Sequence, residues 1–392
     1  MIKNNTQKCS ACGTSPINHH LLFISNLLEE TIGELIDKLL NLNKSNKIKK
    51  LTNVVEKILL NTSTYIGIMS FKNDKEKALT GRSKLIWEEA ERRSILMEQV
   101  IVFGKPIESY RARVNGKMIY FTSLPIPPSL KQEGYLWLDD KYKLFEILSK
   151  NNIPIAKTEK IFTWKSAEKA FNKLEKPVII KPKNGSRGRH TTTNIKNEEE
   201  LKNALKIAGE ITLWTVMQEH LTGSVCRATV INNELVGFFK ALPPQITGDG
   251  NKNIEELIKE KNINRGERLS EIIINEDLIQ FIERQNYTLK DILEKDKTIN
   301  LSAKTGRMYG GHTEEMFPNV HPRMHQIFKK AGELVEAPVV GFDLIIENPD
   351  QDPDTQKWGI IECNSLPFID LHYFAEKGEP INLAKNVWDL WK

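Results

Sequence analysis

The chain is 392 residues long, with 40% hydrophobic and 27% charged residues and a formal net charge of +5. That length exceeds one ordinary hydrophobic core and predicts two or three domains, and the composition excludes a disordered or fibrous chain. So mild a charge gives no reason to expect nucleic acid, and with no apolar run of roughly 18 residues no membrane helix is expected.

The opening stretch, MIKNNTQKCSACGTSP, is polar and has no apolar h-region, so it does not read as a signal peptide and a cytoplasmic protein is expected. Four cysteines in the whole chain suit a reducing compartment. Cys9 and Cys12 have the spacing of half a zinc site, with His19 and His20 following; the alternative is two free thiols near a chain end. Leu28, Ile32, Leu35, Leu39 and Leu42 recur in steps of four and three, which predicts a helix within 21–42 packing its stripe on a core. Further helices are predicted over 51–60 and 83–103. Asn115-Gly116 stands between the alternating runs Arg111–Val114 and Lys117–Phe121 and predicts a tight hairpin. Pro125–Pro128 reads as a linker. A boundary near 130 then separates an N-terminal mixed α/β domain (1–130, helical with a β-hairpin) from a second domain over 131–392.

Past 130 the texture changes to alternating helices and strands. Asp140 is placed to cap a helix that turns Leu144, Ile147 and Leu148 inward and ends before Pro154. Pro177–Lys181 is a short apolar strand that runs into KPKNGSRGRH. Asn197 and Glu200 open a helix over 198–208 with a capping-box pattern. A strand follows over 212–218, then a hairpin over 226–239 that turns at Asn232-Asn233. Helices are predicted over 253–262 and 322–336, strands over 339–347 and 358–364, and a last helix near 382–391.

The most informative stretch is VVGFDLIIENPDQDPDTQKWGIIECN. Two apolar strands flank a loop rich in Asp and Pro and should pair as an antiparallel hairpin. The midpoint between Asp343 and Glu362 falls inside the Asp350–Asp354 loop, so the two carboxylates should sit opposite each other. Directly opposed Cβ atoms are only ~5 Å apart, and like charges there are destabilising unless something neutralises them. Asn364 shares the face of Glu362, because the side-chain period of a strand is two, while Cys363 and Leu344 point the other way. Asp343, Glu362 and Asn364 thus form an all-oxygen face suited to Mg²⁺ or Mn²⁺. The alternative is a solvated polar face on an edge hairpin.

KPKNGSRGRH is neither GxxxxGK[ST] nor GxGxxG. Its glycines Gly185 and Gly188 nevertheless permit close backbone approach to a ligand. Lys181, at the strand end, and Lys141, at a helix start, are candidates to bind phosphate as point charges. For either lysine alone, surface solvation is the competing account.

Taken together, the ordered motifs over about 135–392 resemble the ATP-grasp superfamily, and within it the ATP-grasp domains of cyanophycin synthetase and bifunctional glutathione synthetase. DDKYKLFEILSKNNIPIAKT resembles the helix that opens such a domain, KPVIIKPKNGSRGRH the phosphate-covering loop, and MQEHLTGSVCRATV with PPQITGDG the hinge and the stretch after it. INRGERLSEI, TGRMYGGHTEEMFPNVHP, the paired strands VVGFDLIIE and GIIECNSLPFIDLH, and GEPINLA are similar to later segments of the same family. The resemblance implies two α+β subdomains clasping ATP, and transfer of the γ-phosphate to a carboxylate whose acyl phosphate an amine then attacks. It implies ATP contacts from Lys141, Lys181, Lys183, Gly185, Ser186 and Gly188, and an adenine hinge at Gln218, Glu219 and Leu221. It makes Asp343, Glu362 and Asn364 the Mg²⁺ ligands and gives Arg307 and Lys181 catalytic roles. Arg265, Gly310, Gly311 and His372 are implied at the substrate, although a structural role for His372 is equally open. Amino acids or short peptides are the expected substrates, and a homodimer is compatible with the family.

The sequence also departs from the pattern. Gln218 stands where glutamate is usual, Val225 near an expected acidic ribose contact, His190 at a usual glycine, and GRMYGG in place of the common substrate loop. No further ligase domain and no partner domain for glutathione synthesis are matched, so neither parent activity is expected to transfer whole. A carboxylate–amine ligase is the leading expectation. The alternatives are a kinase-like phosphotransferase and a non-catalytic nucleotide- or peptide-binding module.

Overall fold

The computed structural model describes residues 67–130, 140–183, 189–266, 268–302 and 304–392, together with 9, 11, 18–24, 26, 27, 137 and 138. The leucine stripe from Leu28 to Leu42, the helix expected over 51–60, Cys12, and the loop residues Gly185, Ser186 and Gly188 lie outside these residues.

The N-terminal part is built on a four-stranded antiparallel meander, β1 (Met69–Lys72), β2 (Met97–Val102), β3 (Lys105–Val114) and β4 (Lys117–Thr122). The β3–β4 hairpin turns at Asn115-Gly116 as expected, with φ of 50° and 75°, the left-handed pair that a two-residue turn demands. Helix α1 (Gly81–Arg92) crosses between β1 and β2, its Thr80 side chain capping the Ser83 amide. The single helix expected over 83–103 is therefore corrected: it stops at Arg92, and Met97–Val102 is a strand. Ser94, at φ 56°, reverses the chain, and the Val-Ile-Val run favours the pleated state over a helix.

The Pro125–Pro128 stretch is no exposed linker. Leu124 and Ile126 are buried, as are Pro125 and Pro127. They join a core that includes Trp87, Tyr110 and Phe121 from before position 130 and Ile231, Val339, Ile369, Val387 and Trp388 from far beyond it.

The second part begins with α2 (Lys141–Lys150), capped by Asp140, whose carboxylate accepts from the Tyr142 and Lys143 amides. A four-stranded antiparallel sheet in the order β5-β8-β6-β7 follows: β5 (Thr158–Ile161), β6 (Val178–Pro182), β7 (Thr192–Ile195) and β8 (Thr215–Glu219). Helices α3 (Trp164–Lys173) and α4 (Glu198–Gly209) cover it, and Phe171, Leu201 and Met217 fill its core.

The larger sheet contains β9 (Ser224–Ile231) and β10 (Glu234–Ala241), whose Asn232-Asn233 turn is left-handed at both positions. A side lobe carries β11 (Gln245–Thr247), α5 (Ile254–Ile263), α6 (Glu276–Glu283) and β12 (Thr298–Asn300) around its own small core. Helix α6 has no counterpart among the sequence expectations. The chain then adds β13 (Thr313–Glu315), α7 (Pro322–Val335), β14 (Val339–Ile346) and β15 (Gly359–Asn364), completing a five-stranded sheet in the order β13-β10-β9-β14-β15. Phe328 of α7 packs on Phe238, Phe342 and Trp358 of this sheet, and each such side chain contributes about 1.5–3 kcal/mol by leaving water. Short helices α8 (Asp370–Tyr373) and α9 (Ala384–Asp389) close the chain.

Candidate active site

The register of the β14–β15 hairpin is the one expected: Asp343 stands directly opposite Glu362, and Gly341 opposite Asn364. A bulge just past Asp343 bends the pair where the carboxylates lie. Leu344 and Cys363 point to the opposite face and are buried in the core under α7.

Strand β9, on the other side of β14, places Arg227 opposite Asp343. Its guanidinium donates from Nε to Oδ1 at 2.6 Å and from Nη2 to Oδ2 at 2.8 Å, a bidentate pair. One row across the sheet therefore reads Arg227, Asp343, Glu362. Asn364 donates its Nδ2 to Asp343 Oδ2 at 3.3 Å, which ties it to the same face as the carboxylates. Sequence reasoning missed Arg227, although a charged residue inside the apolar run Ser224–Ile231 was a visible signal.

The two lysines arrive from different elements. Every residue of β6 is buried, and the strand carries Lys181 inward to donate to Gln218 Oε1 at 2.7 Å and to the Ile361 carbonyl at 3.4 Å. Gln218 in turn donates to Thr158 Oγ1 at 2.9 Å, so its side chain orients the lysine. Lys141 opens α2, with Nζ 3.5 Å from Glu362 Oε2 and 3.5 Å from the Lys183 carbonyl. Lys183 reaches Asp140 at 3.4 Å, tying the end of β6 to the start of α2.

The electrostatics follow from this packing. Burial pushes the Asp343 carboxyl above its usual range, with the Arg227 charge opposing. Burial also acts upward on Glu362, but the charges of Lys141 and Lys181 outweigh it and hold that carboxyl below its usual range. Lys181 is lowered to about 8, first by burial and then by the charge of Lys141. Three cations thus converge on two carboxylates, which leaves room for further anionic charge.

The other expected residues are placed as follows. Glu219 and Leu221 are buried at the end of β8, where the Glu219 carboxylate accepts from the Lys157 amide at 3.0 Å. Val225 pairs with Ile345 in the sheet. Arg307 donates to the fully buried Asp370 at 2.7 Å and lies over the Phe368 ring. It lines a cleft with Arg268, Gly311 and His312. Gly310 adopts φ 77°, and a Cβ on Gly311 would come within 2.2 Å of the Leu242 carbonyl, so the turn requires both glycines. Arg265 is exposed and donates to the Asn262 carbonyl instead of joining this cleft.

His372 is fully buried. Its Nδ1 lies 2.6 Å from Glu315 and its Nε2 2.7 Å from Thr229 Oγ1, so both ring nitrogens are engaged by buried groups of the sheet. Gly237 passes so close to that ring that a Cβ would come within 2.7 Å of it.

Residues 138–298 match the model of the RimK-like ATP-grasp domain. That stretch of the chain is a RimK-like ATP-grasp domain. It is 29% identical over 260 residues to cyanophycin synthetase of a Synechocystis strain, a match covering 64% of this chain and 30% of the relative. It is likewise 29% identical over 264 residues to a glutathione biosynthesis bifunctional protein of Clostridium perfringens, covering 65% of this chain and 34% of that one. The chain thus spans about a third of the length of these relatives. A bifunctional glutathione synthetase from Pasteurella multocida superposes with a TM-score of 0.61 at 22% identity, over 79% of this chain and 44% of that one, and shares the ATP-grasp fold.

Proposed function

We propose that the protein is an ATP-dependent carboxylate–amine ligase that forms an amide bond through an acyl phosphate, acting on an amino acid, a short peptide or a related acid, in the cytoplasm. The observation that carries this reading is the Arg227–Asp343–Glu362 row with Lys141 and Lys181 converging on its open end. The similarity to a cyanophycin synthetase and to a glutathione biosynthesis protein supports the reaction class.

The donor set fits Mg²⁺. Asp343, Glu362 and Asn364 offer only hard oxygen atoms, and Asp343 and Glu362 form a like-charged pair that calls for a cation. When bound, Mg²⁺ would neutralise charge on the phosphoryl group in transit. This chain's own residues do the rest. Lys141 and Lys181 hold phosphate oxygens as point charges, and Gln218 fixes the direction of Lys181. Glu219 and Leu221 form the buried edge against which a nucleobase packs. Arg307, held by Asp370, presents a guanidinium to the developing acyl phosphate or to a substrate carboxylate.

The test is release of ADP and phosphate from ATP with Mg²⁺, screened against pools of amino acids and short peptides, with mass spectrometry of the products. The expected product is heavier than the acid by the amine less water. A stable phosphorylated product formed without amine would overturn the ligase reading in favour of a kinase.

A pH effect follows from Lys181. Its ammonium is lost from the nucleotide-free protein as pH rises through about 8. Polyphosphate favours the charged lysine, so binding above that pH must take up a proton. Affinity for ATP is expected to be nearly level below pH 8 and to fall by up to about tenfold per pH unit above it. Titration calorimetry in buffers of different ionisation enthalpy reads the proton uptake directly. Loss of the pH dependence in Lys181→Met would assign it to this residue.

A further inference from the structure

A second cluster lies away from the carboxylate row. Cys9, His19, His190 and Glu210 each offer a ligand atom, all within 4.8 Å of one another. Cys9 Sγ is 4.0 Å from His190 Nε2, and His19 Nδ1 is 3.5 Å from Glu210 Oε2. The His19 and His190 rings meet edge to face at 4.7 Å.

Three further observations make this more than a chance gathering of polar groups. His190 is fully buried, yet its Nδ1 lies 2.7 Å from the Ile207 carbonyl. That bond fixes the proton on Nδ1 and aims the Nε2 lone pair at Cys9, the arrangement typical of a metal-ligating histidine. His190 also holds φ 51°, a left-handed backbone that costs a non-glycine residue about 1–2 kcal/mol. Glycine would avoid that cost, and the position carries an imidazole in its place. Finally, the cluster joins segments remote in sequence: the His190 amide donates to the Ala11 carbonyl at 3.0 Å, and Asn26 donates to the Ile211 carbonyl at 2.9 Å.

We propose that Cys9, His19, His190 and Glu210 bind a divalent cation of the zinc type and so pin the N-terminal segment to the backbone that re-enters the small sheet at β7. One thiolate, two imidazoles and one carboxylate are a borderline-soft, four-ligand set. That set suits tetrahedral Zn²⁺ and disfavours Mg²⁺ or Ca²⁺, which want oxygen alone. Ligand bonds of roughly 2.0–2.3 Å require only modest closure of the present spacing. All four side chains come from outside the carboxylate row, so the proposal does not rest on the ligase reading.

The experiment uses the full chain, stripped with chelator and dialysed. Zinc content is measured by elemental mass spectrometry after addition of Zn²⁺, and the coordination by the absorption of the Co²⁺-substituted protein. The expected result is one tightly held zinc per chain, with tetrahedral cobalt bands and thiolate-to-cobalt charge transfer. Cys9→Ser should remove the charge-transfer band, and both Cys9→Ser and His19→Ala should weaken zinc binding by roughly a hundredfold or more, at least the loss seen when outer-shell partners are removed. Cys9 and His19 are only half-buried, so both variants are expected to fold, and the circular-dichroism spectrum checks this. Substoichiometric zinc in the wild type, or equal affinity in wild type and both variants, would overturn the proposal.

Discussion

Glu362→Gln is expected to lower turnover by roughly a hundred- to a thousandfold or more while the protein stays folded. The amide has the same shape as the carboxylate and keeps the backbone pairing with Asp343. What it loses is the charge that faces Lys141 at 3.5 Å and that would share a cation with Asp343. With Arg227 already committed to Asp343, no other carboxylate in the row can take over. The native Glu362 carboxyl is held below its usual range, so its charge adds stability above the pH at which the unfolded side chain ionises and loses it as pH falls. The variant should accordingly be slightly less stable than the wild type near neutrality, and the gap should close in acid. Steady-state ADP release and thermal melts over pH read the two effects separately. Undiminished turnover in a folded variant would sink the assignment of Glu362 to the metal face.

Arg227→Met carries the largest expected cost in stability. Asp343 is buried and takes both of its short hydrogen bonds from this guanidinium. Removing the partner strands a carboxylate between two apolar strands, and breaking such a pair typically costs about 3–5 kcal/mol. Burial already raises the Asp343 carboxyl, and without the arginine it rises further. A group whose folded pKa is raised contributes its full stability below the unfolded value and loses it as pH climbs through the folded one. The deficit of Arg227→Met is therefore expected to be small in acid and full at neutral pH, the opposite sense to simple acid denaturation. Adding Asp343→Leu to Arg227→Met should restore much of the loss, because an apolar pair of similar volume is tolerated where an ion pair stood. Denaturation midpoints of the two single variants and the double variant close the cycle. If the double variant is no more stable than Arg227→Met, the loss comes from packing of the arginine stem, for instance on Phe239, and not from the stranded charge.

The site was legible where one local rule governed it. Opposition of Asp343 and Glu362 followed from hairpin symmetry, and the lysine at the end of β6 from an apolar strand meeting a basic loop. What stayed hidden depended on neighbours distant in sequence. Arg227 becomes meaningful only once β9 lies beside β14, and Gln218 turned out to steer a lysine because β8 lies between β5 and β6. His190 was visible only as an oddity in the loop pattern; its burial against Ala11 and Ile207 is a matter of tertiary contact. The same holds for the fold. The tight turns at Asn115-Gly116 and Asn232-Asn233 were plain because two residues determine them. The break after Arg92 was missed because an amphipathic helix and a buried strand both show apolar residues at short spacing, and only the positive φ of Ser94 separates them.

The core that gathers Trp87, Tyr110 and Phe121 with Val339, Val387 and Trp388 has a consequence for heredity as much as for chemistry. The meander with its helix and the last helices of the chain are each other's lining, so a change of side-chain volume in one must be met by the other. An ancestral insertion or deletion in the meander would be felt at the back of the carboxylate strand through Val339, which lies only four residues from Asp343. The meander is thus a wall of the same room as the sheet that carries Asp343.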